Sequence, residues 1–430
     1  MKWKIAICTL LAAIRVVLAD YTVTQSDFNT YAGRHNDLIQ SLVNANHVNI
    51  YMPSFASAYQ FTNAVKLKSG CRINLGSGAQ VYAMPYGFTN LNFVGIFMIT
   101  NGMTDVKILG VATNKALLKY DNFYAYQAGG TNKYIAGNPN KSGILVYGGR
   151  DVEIANIRFE YCAGDGVTVE EKTTAGEITS NITVRAIETY RCARSGVVIT
   201  GGDTVNLLDS VLEESSQGNQ TNQFRYEQGE GVHIEAYYPP LYGVLVSNVT
   251  TIGCTRGLKV AMYSTNIYIR AHSTSDVRIK NCTFRDSEDY GLMFRNCYDG
   301  VPKGFIEARF CVMSNNAVGG IRFQNWGTNV QVKLVQETIY NAPGAIMEPV
   351  SIDYYGGDPT LQTYTLSSIG NIYLHSIHVW QNDNDNVLSC TGDASAGVLI
   401  DNVWGGIWTH GTTTNILQIA ATNINVTVTP

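Results

Sequence analysis

Through the middle of the chain one short pattern returns: a glycine, an apolar residue, a variable residue, a second apolar residue and a fifth residue of changing character. It reads GILVY from Gly143, GVTVE from Gly166, GVVIT from Gly196, GVHIE from Gly231, GLKVA from Gly257, GLMFR from Gly291 and GIRFQ from Gly320. A weaker copy, AIMEP, starts at Ala345, and the glycine copies are 23 to 35 residues apart. Between them lie second strands such as DVEIANIRFE, NITVRAIETYR, TVNLLDSVLEE and DVRIKNCTFRD, which alternate apolar and polar residues. Period two belongs to strands with one buried face, and no 3.6-residue period competes with it. Asn-Gly and Asp-Gly hairpin turns lack the regular spacing of a sandwich or propeller. The pattern predicts an all-β, single-stranded parallel β-helix of about ten coils, with Gly or Asn at its corners.

The flanks fit that solenoid. HNDLIQSLVNAN reads as an amphipathic helix with Leu38, Ile39, Leu42 and Val43 inward, placed to cap the open first coil. HVNIYMPS, CRINLGSGAQVYA and DVKILG read as the first strands, and the Tyr-, Asn- and Gly-rich stretch from Tyr120 to Lys141 as a long loop. SIDYYGGDPTLQTY reads as a second excursion from the coils. Ahead of all this, residues 1–19 combine a basic start, an apolar run and small residues before Asp20, the pattern of a secretory leader. The expected organisation is a leader over 1–19 and a β-helix domain over 20–430, exported to the cell exterior or the periplasm. No later run reaches the ~18 apolar residues of a membrane span, and a monomer is expected.

Composition narrows the function classes. With only 15% charged residues, a net charge of −4 and no basic tail, nothing favours a nucleic-acid partner. Beyond Cys8, the cysteines stand at matching distances from the coil glycines: Cys162 and Cys192 four residues before one, Cys282 and Cys311 nine before. No Cys-x-x-Cys pair is present, so buried stacking positions are expected rather than metal ligands.

The chemistry sits on the other side of the repeated strands. Places two and four of the motif point inward, so places three and five point out. Place three reads Leu145, Thr168, Val198, His233, Lys259, Met293, Arg322; place five reads Tyr147, Glu170, Thr200, Glu235, Ala261, Arg295, Gln324. Coils repeat at ~4.8 Å, which sets His233 beside Lys259, with Arg295 and Arg322 one and two coils beyond. Charged groups among apolar outward neighbours point to a groove. The tyrosines of AYYPPLY, Tyr237, Tyr238 and Tyr242, could wall it and stack on sugar rings.

This coil pattern resembles the right-handed parallel β-helix proteins of the pectate-lyase-like superfamily over roughly Tyr21 to Val426. The resemblance implies a right-handed helix and a secreted enzyme acting on polysaccharides by lysis, hydrolysis or epimerisation, with phage tailspikes as relatives. AGDG at Ala163, EGVHIEA at Glu230 and RGLKV at Arg256 echo parts of polygalacturonase motifs, whose paired aspartates, Gly-His-Gly and Arg-Ile-Lys are incomplete here.

Three functions follow. Lysis of an acidic polysaccharide by β-elimination is the leading expectation: Arg295 or Arg322 neutralises the uronate, Lys259 serves as base, and His233 or a tyrosine as acid. Gln324, Tyr237, Tyr238 and Glu170 would line the substrate, and no cofactor is required unless calcium binds at Glu170 and Glu235. An inverting glycoside hydrolase would instead use Glu170 and Glu235, ~9.6 Å apart at the backbone, with Asp165 a third acid at a corner. A non-catalytic carbohydrate-binding β-helix or a uronate epimerase is the third reading.

Overall fold

The computed structural model describes residues 20–430 apart from 85–87, 89–93, 121–140, 171–177, 216–228, 237–240, 263–274, 302, 341–344, 357–364, 381–385 and 411–413. The leader and most of the Tyr120–Lys141 loop therefore lie outside the described residues.

Every coil returns to the same three ladders, and all pairings between named strands are parallel. One ladder is a twelve-stranded sheet, labelled here β1 (Val65–Lys66), β2 (Val94–Thr100), β3 (Lys141–Tyr147), β4 (Val167–Glu170), β5 (Val197–Ile199), β6 (Glu230–Ala236), β7 (Arg256–Met262), β8 (Tyr290–Cys297), β9 (Gly319–Trp326), β10 (Val350–Asp353), β11 (Leu388–Thr391) and β12 (Ile416–Ile419). That is two coils more than the repeat count suggests. The additional coils lie at the two ends, where the opening glycine is absent or, as with Gly95 in β2, out of register with Gly143. The eighth copy is also misplaced by sequence. AIMEP is not the strand; Val350–Asp353 is, paired Ile321↔Val350, so part of the expected excursion is coil.

The inward places pack as expected. Val169, Ile199, Ile234 and Val260 stack in register and are fully buried, followed by Phe294 and Phe323 with rings 4.7 Å apart. Each such side chain contributes about 1.5–3 kcal/mol of burial. Repeated along the axis, these columns form one continuous core.

Corners and glycines have separate roles. Between the second and third strands of a coil the chain turns on a single left-handed residue, such as Asn156, Asn248 or Asn281 with φ of 57°, 56° and 53°, a conformation that asparagine tolerates. The motif glycines are instead close approaches. A Cβ on Gly231 would lie 2.4 Å from Thr251 Cγ2, and one on Gly257 would lie 2.4 Å from the Gly291 carbonyl oxygen and 2.6 Å from Phe284 Cβ. There the glycine lets the sheet sit against the opposite wall of the solenoid.

At the N-terminal end, α1 (Gln25–Thr30) starts with a Thr24–Asp27 capping box, and α2 (His35–Asn44) buries Leu38, Ile39, Leu42 and Val43 as expected. His35 ties α2 to the first coils: its Nδ1 accepts from the Gln60 amide at 2.9 Å, and its Nε2 donates to the Phe28 carbonyl at 3.0 Å. All eight described cysteines are buried thiols, in keeping with stacking positions.

Candidate active site

The alternation argument puts places three and five on one outward face, and the register confirms the columns. Thr168, Val198, His233, Lys259, Met293, Arg322 and Ser351 align, as do Ala261, Arg295, Gln324 and Asp353 beyond Glu235. This face is not an open, solvated one. His233, Lys259 and Glu235 are only 1%, 2% and 4% exposed, so they are buried ionisable groups.

A third outward column joins them. Asp165, Ser195, Glu230 and Arg256 each precede a motif glycine. Strict alternation would put these residues inside, yet Glu230 and His233, three apart, meet at 3.6 Å. The chain changes phase at the glycine, where the backbone is pressed against the opposite wall.

Glu230 is the centre of the cluster and fully buried. Its Oε1 lies 3.0 Å from Arg256 Nη1 and 3.5 Å from Lys259 Nζ, and its Oε2 lies 3.6 Å from His233 Nδ1. Ser195 Oγ donates to the same Oε2 at 3.4 Å. Burial alone would raise the Glu230 carboxyl, but Lys259, His233 and Arg256 together hold it down at about 2. Arg256 is shared with Asp289 at 2.7 Å. On the far side of the imidazole, His233 Nε2 lies 3.6 Å from Glu235 Oε2. Burial and then Lys259 push His233 well below its usual range, against the pull of Glu230. Burial also lowers Lys259, with Arg256 and Arg295 adding to the effect and Glu230 opposing it.

Toward the N-terminal coils, Arg194 grips Asp165 with Nε at 2.8 Å and Nη2 at 2.5 Å, and the Ser195 amide and Thr168 hydroxyl donate to the same carboxylate. Asp165 is thus a structural anchor. Glu170 lies beside this pair. Burial raises its carboxyl, Asp165 and Glu235 add to the rise, Arg194 opposes it, and the result is about 7.

The cations expected to hold a substrate carboxylate are differently placed. Arg322 is bidentate to Asp353 at 2.7 Å on both nitrogens and lies over the Tyr290 ring. Arg295 sits one rung beyond Ala261 and is partly exposed, and Gln324 follows it. Tyr237 and Tyr238 lie outside the described residues; Tyr242 is 40% exposed. Among the described residues no group of three or more His, Cys, Asp or Glu side chains is arranged to hold a metal ion. Glu230, Arg256, Arg194, Asp289 and Asp353 escaped the sequence reading. Two of them, Glu230 and Arg256, head the EGVHIEA and RGLKV stretches and, like Asp165, stand directly before a coil glycine.

A three-sided parallel coil lined by stacked apolar columns defines the class, and comparison agrees. The right-handed β-helix region matches residues 88–221 and 211–365, and the chain belongs to that family. No match to a curated protein sequence was found. The A-module of the mannuronan C-5 epimerase AlgE6 from Azotobacter vinelandii superposes with a TM-score of 0.56 at 15% identity, covering 96% of this chain and all of that one. The Dettilon tailspike protein gives 0.56 at 10% identity over 90% of this chain and 67% of its own. The tailspike of E. coli bacteriophage HK620, complexed with a hexasaccharide, gives 0.52 at 11% over 91% and 76%. These likenesses show the shared fold.

Proposed function

We propose that the chain is an exported enzyme that cleaves an acidic polysaccharide on the outward face of β4–β8, by acid–base hydrolysis of the glycosidic bond. The observation that carries this reading is Glu170. Its carboxyl, raised to about 7, keeps a proton near neutrality, and Glu235 stands two rungs away on the same column. Two rungs are ~9.6 Å at the backbone, at the upper edge of the ~6.5–9.5 Å carboxyl spacing of inverting glycosidases. Glu170 donates its proton to the leaving oxygen, and Glu235 takes one from the attacking water. Arg295 and Lys259 supply positive charge for an acidic sugar. Among the structures sharing the fold, one is named for mannuronan and another holds a hexasaccharide, which supports a polysaccharide ligand.

Elimination is the second reading, favoured by the lowered Lys259 beside Arg295. Against it, Lys259 lies 3.5 Å from the ionised Glu230, a contact that favours the protonated amine over the free base.

The test is to incubate uronate-containing and sulfated polysaccharides with the protein while following reducing ends and ultraviolet absorbance together. Hydrolysis gives ends without absorbance, and Glu170→Gln lowers kcat by roughly 10²–10⁴-fold. Because the acid must be protonated, activity falls as pH rises through about 7. Absorbing, unsaturated products would establish elimination instead, and no new ends from any polymer would end the cleavage reading.

A further inference from the structure

Place five of the motif lays one column along the solenoid: Thr100, Tyr147, Glu170, Thr200, Glu235, Ala261, Arg295, Gln324 and Asp353. The Thr200 amide donates to the Val169 carbonyl at 2.9 Å, which sets its rung between the two acids. The column is not symmetric about them. On the N-terminal side a partly exposed Tyr147 stands directly beside Glu170, with Thr100 behind it. On the C-terminal side, two rungs past Glu235, stands a partly exposed Arg295. It is the one cation among the described residues of this column. Of the neighbouring cations on the face, Lys259 lies on Glu230 at 3.5 Å and Arg322 on Asp353 at 2.7 Å.

Inversion fixes the direction in which a polymer can lie here. Water attacks the anomeric carbon from the face opposite the leaving oxygen. Base, water, anomeric carbon, leaving oxygen and acid therefore follow one line. With Glu235 as base and Glu170 as acid, that line runs along the column toward the N-terminal coils. The sugar being cleaved lies over Thr200. Its leaving oxygen, and the sugar attached through it, point to Glu170 and Tyr147. The rest of the glycone extends the other way, past the small Ala261 to Arg295. Three rungs, ~14 Å, separate Thr200 from Arg295. A guanidinium does not span that distance to the cleaved sugar, so the acid group it meets belongs to the next sugar of the glycone.

We infer that Arg295 is a specificity-determining residue that binds the acid group of the second sugar on the glycone side, while Tyr147 stacks on the first sugar of the aglycone. This rests on the hydrolytic reading. A planar guanidinium suits a carboxylate or sulfate, which it can grip with two N–H groups. A tyrosine ring presents an apolar face that takes a neutral or an acidic sugar. The substrate is then a polysaccharide with an acidic residue one place before the cleaved sugar and no acid requirement behind the cut. In the reaction the bond from anomeric carbon to leaving oxygen breaks as Glu170 gives that oxygen its proton. The water oxygen bonds to the anomeric carbon, and Glu235 takes one water proton. Arg295 and Tyr147 exchange no proton and only hold the chain.

The test uses the acidic polymer that the wild type cleaves, after part of its carboxyl groups is reduced to alcohols or part of its sulfates is removed. The products are sequenced by tandem mass spectrometry. An acidic sugar is expected in the second place from every new reducing end, and the average composition of the polymer at the new non-reducing ends. Arg295→Gln should raise KM roughly 10–10²-fold, change kcat far less, and make the second place random. Tyr147→Ala should lower kcat/KM and leave the second-place preference intact. An acid preference at the new non-reducing ends, or at neither end, would overturn the inference and leave hydrolysis standing. So would a folded Arg295→Gln with the wild-type KM and preference. Unsaturated products, or no new ends, would remove the hydrolytic reading and this inference with it. The wild-type product sequences decide the matter even if a variant fails to fold.

Discussion

Lys259 offers the sharpest test of the buried face, because alternation alone and the structure disagree about it. An outward lysine on a solvated strand could be truncated at little cost to stability. In the structure its ammonium lies 3.5 Å from a fully buried carboxylate and is itself 3% exposed. At an effective dielectric of about 20 the attraction at that distance is about 5 kcal/mol, offset in part by desolvation of the ammonium. Breaking a buried pair by removing one partner costs about 3–5 kcal/mol. Arg256 remains on Glu230, at 3.0 Å, which places Lys259→Met near the lower end, about 3 kcal/mol. With an unfolding entropy near 2.1 cal/mol/K per residue over about 410 residues, that is a fall in Tm of roughly 3–4 °C. Calorimetry and urea unfolding at neutral pH measure it. If Lys259→Met melts with the wild type, the outward face is solvated and the ion cluster is misread.

Two further outcomes follow from the same coils. Gly257→Ala forces a Cβ to within 2.4 Å of a backbone oxygen and should cost at least ~1–3 kcal/mol; a urea midpoint equal to the wild type would refute the close approach. Glu230, at about 2 against an ordinary 4.5, contributes stability that is present above about pH 4.5 and lost as pH falls toward 2, about 3 kcal/mol in all. Urea midpoints taken across that window should fall in the wild type and flatten in Glu230→Gln.

The core was readable because it obeys a strict period: Val169, Ile199, Ile234 and Val260 are where alternation puts them. His233, Lys259 and Glu235 were readable for the same reason, as the alternate positions of those strands. Glu230 and Arg256 were not, because they lie across the glycine where the period breaks, and that break depends on Thr251 and Phe284 on another wall of the solenoid. Burial of the outward face was also out of reach, since a strand pattern specifies a side and not what lies over it. Arg322 looked available until Asp353 appeared opposite it, on a coil whose strand the weak AIMEP copy had put in the wrong place.

The spacing between Glu170 and Glu235 is a whole number of rungs. One coil, carrying Thr200, separates them. In a solenoid each coil touches only its neighbours, so a coil can be gained or lost without redesigning the rest. Losing that one would bring the carboxyls to a single rung, about 4.8 Å at the backbone, close to the ~5–5.5 Å of retaining glycosidases. Gaining one would set them about 14 Å apart, too far to act on one bond. The stereochemistry of the product would then be inherited as an integer, altered by the insertion or deletion of a repeat and not by any substitution within the site.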